Sequence, residues 1–326
     1  MTTIASPRDR TDRPGGPRRS AGDMPRRSTA RSPHQPRPWT PYLFLAPFLL
    51  IFGTFVLAPA VSGIWMSLHN WDFFLPDRPF VGLQNYVDLF TPDALVAQQF
   101  WESMRATGLF VLLSVPLLMA IPLGLALLLN QRFRGRTFFR AVFFAPYVLG
   151  VSVVGLLWQY LLNGNTGLVN GYLAQLGIAE AVPWLTATPW VWVSLVGVTV
   201  WWTMGFNSVV YLAGLQNVDE ALYDAAKVDG AGRWAQFVHV TIPQLRPVLL
   251  FVLTMTVLAS ANMFGQSYLL TSGNPSNETR TAIMFIAEVG LEQFRMGLAA
   301  AMSYLLALLL IVVSALNFLF LRQKES

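Results

Sequence analysis

The sequence predicts an all-α polytopic membrane protein with six transmembrane helices. Three observations predict it. First, 54% of the 326 residues are hydrophobic and only 12% are charged, about half the charged share of a soluble domain, and mean hydropathy is +0.48. Second, six apolar stretches recur, each about long enough to cross a hydrocarbon layer of roughly 30 Å, and none contains Asp, Glu, Lys, Arg or His. Third, the basic residues fall on one side of the alternating loops.

In chain order, residues 1–40 hold nine Arg, three Asp and seven Pro. They cannot bury enough apolar surface to offset the entropy of ordering, so a disordered cytoplasmic tail is expected. The net charge of +5 belongs to this tail, because the other 286 residues carry 13 basic and 14 acidic groups. It is no argument for nucleic-acid binding by the body. The twin arginines Arg18-Arg19 and Arg26-Arg27 are followed by an apolar stretch too long for a signal sequence, which points to an uncleaved anchor.

The spans are expected at 42–68, 107–129, 141–162, 191–215, 248–270 and 297–321. With the amino terminus in the cytoplasm, 18 basic groups lie inside and four (Arg78, Arg105, Arg280 and Arg295) lie outside. That asymmetry places both termini in the cytoplasm. The first outer loop, 69–104, carries Trp71, Phe73, Phe74, Phe80, Tyr86, Phe90, Phe100 and Trp101, residues that settle at a membrane interface. The second, 163–189, is rich in Gly, Asn and Pro, with Glu180 its one charge.

Composition also excludes chemistries. No Cys is present, which removes disulfides, thiolate metal sites and cysteine nucleophiles. Three His form no HExxH pair, and neither Lys227 nor Lys324 sits in a phosphate-loop motif. The chain is therefore expected to be no enzyme, and to hydrolyse no ATP by itself. An intramembrane enzyme would need paired catalytic groups, and an ion-coupled secondary transporter would need a buried ionisable group; the spans offer neither.

The loop after the fourth span, 216–247, differs from the rest. Asn217 or Asp219 can cap a helix, with acids favoured in its first turn. Ala221, Ala225 and Val228 then share one face, and Gly230 suits the left-handed position after a helix end. A second helix is expected from 232 to about 241, with Trp234, Phe237, Val238 and Thr241 on one face, stopped by Pro243 and Pro247. By spacing alone, this is either a plain helix–turn–helix lying on the membrane or a compact knob that enters a groove on a soluble partner.

Two polar stripes mark the spans. Thr199, Thr203 and Phe206, with Trp202 beside them, fall at helical spacing in the fourth; Thr256, Ser260 and Met263 repeat that spacing in the fifth. The hydroxyls either glue helices, at about 0.6 kcal/mol each, or line a path for an uncharged polyol with aromatic platforms. Tyr147 is a further path candidate or an interfacial anchor. Asn262 and Gln266 lie on a neighbouring face.

Residues Asp224-Ala225-Ala226, then Gly230, then Val240-Thr241-Ile242-Pro243 resemble the "EAA" signature of the transmembrane subunits of binding-protein-dependent ABC importers. Every spacing is kept, with Asp for the family's Glu. Asp229, Gly230, Ala231 and Phe237, the FVGLQNY run at 80–86 and the APY run at 145–147 are similar to the carbohydrate-uptake branch. The LTSGNP run at 270–275 departs from the branch's usual Gly-Gly-Pro. The resemblance covers about 41–322 and implies the type I importer permease fold: the tail at 1–40, the first helix and outer loop at 41–104, and a core of five helices at 105–322.

It also implies a mechanism. Asp224, Ala225, Ala226, Asp229, Gly230, Ala231 and Pro243 would couple to a separate ATPase dimer, which holds the ATP and Mg; this chain binds no cofactor or metal. Trp202, Thr203, Phe206, Thr256, Ser260, Met263 and Tyr147 would contact substrate. The implied partners are a second permease subunit, an extracytoplasmic solute-binding protein, the bilayer of a bacterial cytoplasmic membrane and a sugar or sugar derivative. An amino acid, phosphate or a glycerol-phosphate-like solute is the alternative cargo.

Overall fold

The computed structural model describes residues 39–322, apart from 132 and 178–180. Residues 1–38 of the expected tail, together with Arg132, Glu180 and Lys324, lie outside the described residues.

Contacts divide the chain into two compact units, ending at Phe55 and beginning at Val56. In the first, α1 (Thr40–Phe52) runs into a π-helical turn at Gly53–Leu57. Its described side chains from Tyr42 to Phe52 are exposed.

The second unit is helical among the described residues. It begins with α2 (Ala58–Ser67), the short α3 (Gln84–Phe90) and the long α4 (Leu95–Asn130). The loop at 69–94 is tied down rather than loose. Asn85 donates to the carbonyls of Ser67 and His69 at 2.8 and 3.0 Å, and the Trp101 indole donates to Leu89 O at 2.9 Å. The chain continues through α5 (Arg136–Val148), α6 (Val151–Leu161), α7 (Leu168–Gln175) and α8 (Trp190–Gln216). Helices α4 and α8 make the central seam, with Phe110 and Leu195 fully buried in it. Beyond it lie α9 (Glu220–Val228), α10 (Arg233–Gln236), a π-turn at Phe237–Thr241, α11 (Ile242–Gln244), α12 (Arg246–Ala261), α13 (Gly265–Leu270) and α14 (Ala282–Ala287). A π-turn at Glu288–Glu292 and α15 (Met296–Arg322) complete the chain.

Four apolar helical stretches are long enough to cross a membrane: Tyr42–Ser67, Leu95–Asn130, Trp190–Gln216 and Met296–Asn317. Two bent pairs bring the count to six if each is one span: Arg136–Val148 with Val151–Leu161, bent by 96°, and Arg233–Gln244 with Arg246–Ala261, bent by 70°.

Four expectations need correction. The second span gains about three turns at its outer end, where Glu102 and Arg105 continue the helix beyond the apolar stretch. The third is not continuous, because Leu149 and Gly150 take extended backbone. Pro146 already deprives the preceding turn of a donor there. The fifth breaks between Ala261 and Gly265, where the Asn262 amide donates to Leu258 O at 2.7 Å and offers the backbone an alternative to the next helical bond. Pro243 does not stop the loop's second helix. The preceding turn widens to a π-turn, which removes the need for the proline's missing N–H, and the helix runs to Gln244.

Candidate functional site

The first candidate region is the loop after α8. Asp219 caps α9 by accepting from Ala221 N at 2.9 Å. Glu220 lies in its first turn and Lys227 in its last, both favoured by the helix dipole. At the other end Gly230 has φ +79°. Its N–H donates to Lys227 O at 3.0 Å, and Ala231 N–H to Ala226 O at 2.8 Å. These two bonds make a complete Schellman motif, which satisfies the last carbonyls of α9 locally. The Gln236 amide donates to Ala231 O at 2.8 Å, and the hydroxyls of Tyr223 and Thr241 lie 2.9 Å apart, so the two arms hold together.

This bonding leaves one face of the loop unused. Ala221, Ala225 and Val228, which the helical spacing put on one face, are all exposed, and Val228 and Trp234 are 87% and 75% exposed. Asp224, Asp229 and Gly230 are also exposed, while Ala226, Ala231 and Pro243 are half-buried. Asp224 pairs with Lys227 at 2.8 Å in open solvent. The hydrogen bond and the charge of Asp224 hold the Lys227 ammonium above its ordinary 10.5. Behind α9 a cavity of about 780 Å³ is lined by Asn130, Arg136, Gln216, Tyr223 and Lys227 among others.

The second region surrounds the break between α5 and α6. A break in a span frees backbone carbonyls that need partners outside their own helix. The indole of Trp202 on α8 donates to Leu149 O at 3.0 Å and fills that need. Gly205 makes this approach possible: a Cβ there would collide with the carbonyl of Phe143 and come within 2.7 Å of the Phe144 Cα. One turn away, Phe206 and Tyr147 stack with centroids 4.8 Å apart and planes 18° apart, each just over a third exposed.

The hydroxyls of this stripe are committed to their own helix. Thr199 donates to Leu195 O and Thr203 to Thr199 O, both at 2.8 Å. The stripe of the fifth span is buried: Thr256, Ser260 and Met263 are 5%, 4% and 3% exposed. Ser114 donates to Ser260 Oγ at 3.2 Å, fastening α4 to α12, and Thr281 donates to Met263 O at 2.7 Å. The structure thus joins Trp202, Phe206 and Tyr147 at one surface and buries Thr256, Ser260 and Met263 in the packing against α4 and Thr281. Asn262 is exposed and Gln266 half-buried. Sequence reasoning missed a second aromatic stack, Phe264 on Tyr268 at 5.2 Å, although their i, i+4 spacing was a usable signal. It also missed Asn207, whose amide donates to Leu118 O at 3.3 Å across the central seam.

Residues 120–325 match the sequence profile of the binding-protein-dependent transport system inner membrane component family. The chain belongs to that family. Among its relatives, the arabinooligosaccharides transport system permease protein AraP of Bacillus subtilis is 36% identical over 85% of this chain and 87% of its own length. The trehalose/maltose transport system permease protein MalF of Thermococcus litoralis is 35% identical over 76% and 81%. In three dimensions the chain is similar to a subunit in the crystal structure of a bacterial ABC transporter involved in the import of the acidic polysaccharide alginate. There the TM-score is 0.75 and the identity 26%, over 88% of this chain and 96% of that one. The matched region of this ABC importer permease begins inside α4, and it contains both the loop and the break.

Proposed function

We propose that this chain is the permease subunit of an ATP-driven importer for a sugar or sugar derivative. Its relatives include permeases named for trehalose and maltose, arabinooligosaccharides and lactose, which supports that cargo. The observation that carries the reading is the loop at 217–247. Its backbone is internally satisfied, and its exposed small and apolar face is free for another protein.

In this reading the segment from Asp224 to Gly230, the end of α9 and its turn, docks in a cleft of a separate ATPase subunit, and all ATP and Mg chemistry happens there. This chain is then a non-catalytic membrane subunit, with both termini in the cytoplasm of a bacterium. The Tyr223–Thr241 contact makes α9 to α11 move as one body. That body meets α12 at the bend, where Leu245 is fully buried. A Cβ at Gly214 on α8 would lie 2.9 Å from the Leu245 side chain and 2.8 Å from Val248, so a push on α9 reaches α12 and the end of α8 together. A second permease supplies the other half of the pathway. An extracytoplasmic binding protein delivers substrate, in keeping with the crystal structure of the alginate transporter in complex with a periplasmic protein bound to an alginate pentasaccharide.

The substrate path is assigned to Tyr147, Trp202, Thr203 and Phe206, a neutral aromatic surface suited to sugar rings. Thr256, Ser260 and Met263 are buried and are left out of that surface. The test is ATP-dependent uptake of labelled oligosaccharides in proteoliposomes holding the complete transporter. Gly230→Phe should abolish uptake while the chain still inserts. Phe206→Ala should raise KM about 2- to 10-fold, because an aromatic stack is worth about 0.5–1.5 kcal/mol, with the ATPase still co-purifying. Normal uptake by Gly230→Phe would remove the docking role.

A further inference from the structure

The turn between α4 and α5 has no role in that reading, and its charges are unbalanced. No Asp or Glu occurs from residue 103 to 179, a stretch that holds five Arg, four of them between 132 and 140. The chain turns at Gly135, with φ +88°, and α5 opens on Arg136. Arg134 lies just before this helix and Arg140 one turn into it. A helix N-terminus is the positive end of the dipole and disfavours cations. Arg136 and Arg140 add a like-charge pair at i, i+4.

Among the described residues the ion pairs are Lys227–Asp224 and Arg280–Glu288, so no described carboxylate reaches Arg134, Arg136 or Arg140 within 4.0 Å. Glu220 and Asp224 line the same cavity as Arg136 without pairing with it. Arg140 Nη2 finds only Leu129 O, at 3.4 Å, and its Nε is buried without a partner. The surroundings are apolar. Phe133, Phe138, Phe139 and Val142 are 42%, 67%, 43% and 46% exposed. Phe133, Arg134, Gly135, Arg136 and Thr137 line a concavity of about 690 Å³ at the turn.

We propose that this turn binds the phosphate of an anionic phospholipid. Arg134 and Arg136, which line the concavity, hold the phosphate oxygens together with the N–H groups of the first turn of α5, Arg140 adds its charge one turn further on, and the phenylalanines sit among the acyl chains at the membrane edge. An acidic protein surface would match the charge but would leave no lipid for Phe138, the most exposed of them. The site is separate from the transport reading, because lipid retention is read without any transport.

The full chain is reconstituted in nanodiscs of phosphatidylcholine alone and of equimolar phosphatidylglycerol and phosphatidylcholine. Retained lipid is read by native mass spectrometry after transfer to detergent. The wild type should retain phosphatidylglycerol preferentially and melt higher with it. The triple variant Arg134→Gln, Arg136→Gln, Arg140→Gln should lose that preference by about fivefold per arginine removed. In phosphatidylcholine it should melt no lower than the wild type, since a repulsion has been removed. The triple Lys variant should keep part of the preference. If the triple Gln variant does not fold, Arg136→Gln alone carries the comparison. The proposal falls if the Gln variant retains phosphatidylglycerol as the wild type does. It falls equally if inorganic phosphate in detergent gives the full shift, or if the turn becomes protected only when the ATPase subunit is added.

Discussion

The loop at 217–247 and the break at Leu149 face one problem, a helix end with unsatisfied carbonyls, and resolve it in opposite ways. At the end of α9 the answer is local. Gly230 takes a left-handed conformation, and two backbone N–H groups cover two carbonyls. No side chain is spent, so Leu222, Val228 and Trp234 are left outward for a partner. At the end of α5 the answer comes from 53 residues away: Trp202 gives its indole N–H to Leu149 O. The side chain is committed, and α8 is fixed against the break. In water a helix end can be made rigid and still present a bare surface. In a membrane the same backbone defect recruits a neighbouring helix, so the place where the span breaks becomes the place where helices and aromatic rings converge.

The comparison breaks most visibly at Gly205, because the remote solution depends on α5 and α8 touching there. Gly205→Val puts a branched side chain against the backbone of Phe143 and Phe144. Backbone cannot yield as a flexible side chain can, so a loss of about 3 kcal/mol is expected, at the upper end for overpacking. The readout is melting of the purified chain in detergent. The loop residues should keep their protection from hydrogen exchange while α5 and α6 lose theirs. Uniform loss across both regions would mean that the loop depends on the break.

A smaller effect separates the donor from the ring. Trp202→Phe keeps an aromatic side chain and removes only the N–H. It should cost about 1 kcal/mol, the usual worth of one hydrogen bond, with faster exchange confined to residues near Leu149. No change in melting would mean that another group satisfies this carbonyl, and the contrast with the Gly230 turn would lose its basis.

The two regions also differ in how far the sequence revealed them. The loop was legible almost residue by residue, since caps, turn glycines and helical faces are set by neighbours within five positions. Gly230 and the shared face of Ala221, Ala225 and Val228 follow from local chemistry, whereas the choice of Asp219 over Asn217 as cap and the π-turn that carries the helix past Pro243 did not. The spans were legible as apolar segments and little more. Leu149 resembles any other apolar residue of a span, and its extended backbone is tolerable only because Trp202 is near. The stripes of the fourth and fifth spans share one spacing, but the first reaches the surface through Phe206 while the second is buried against α4 and the 279–281 segment. Periodicity gives a face; which neighbour that face meets is a tertiary fact.

The smallest expected effect tests whether the loop surface is electrostatically quiet. Lys227 and Asp224 are 62% and 72% exposed, and a pair in such a setting adds little to stability. The shift of Lys227 is upward, caused first by the hydrogen bond to Asp224 and then by its charge. A raised folded value means that the pair's contribution is complete below pH 10.5 and is lost as pH rises through the higher folded value. The chain has only two lysines, so ¹³C-methylation of the amines gives a spectrum in which Lys227 titrates visibly on its own. Its midpoint should lie above the ordinary lysine value and fall back in Asp224→Asn, with no measurable change in melting at neutral pH. A clear drop in melting would show that this pair helps to hold α9 in place, and that the loop surface is not electrostatically quiet.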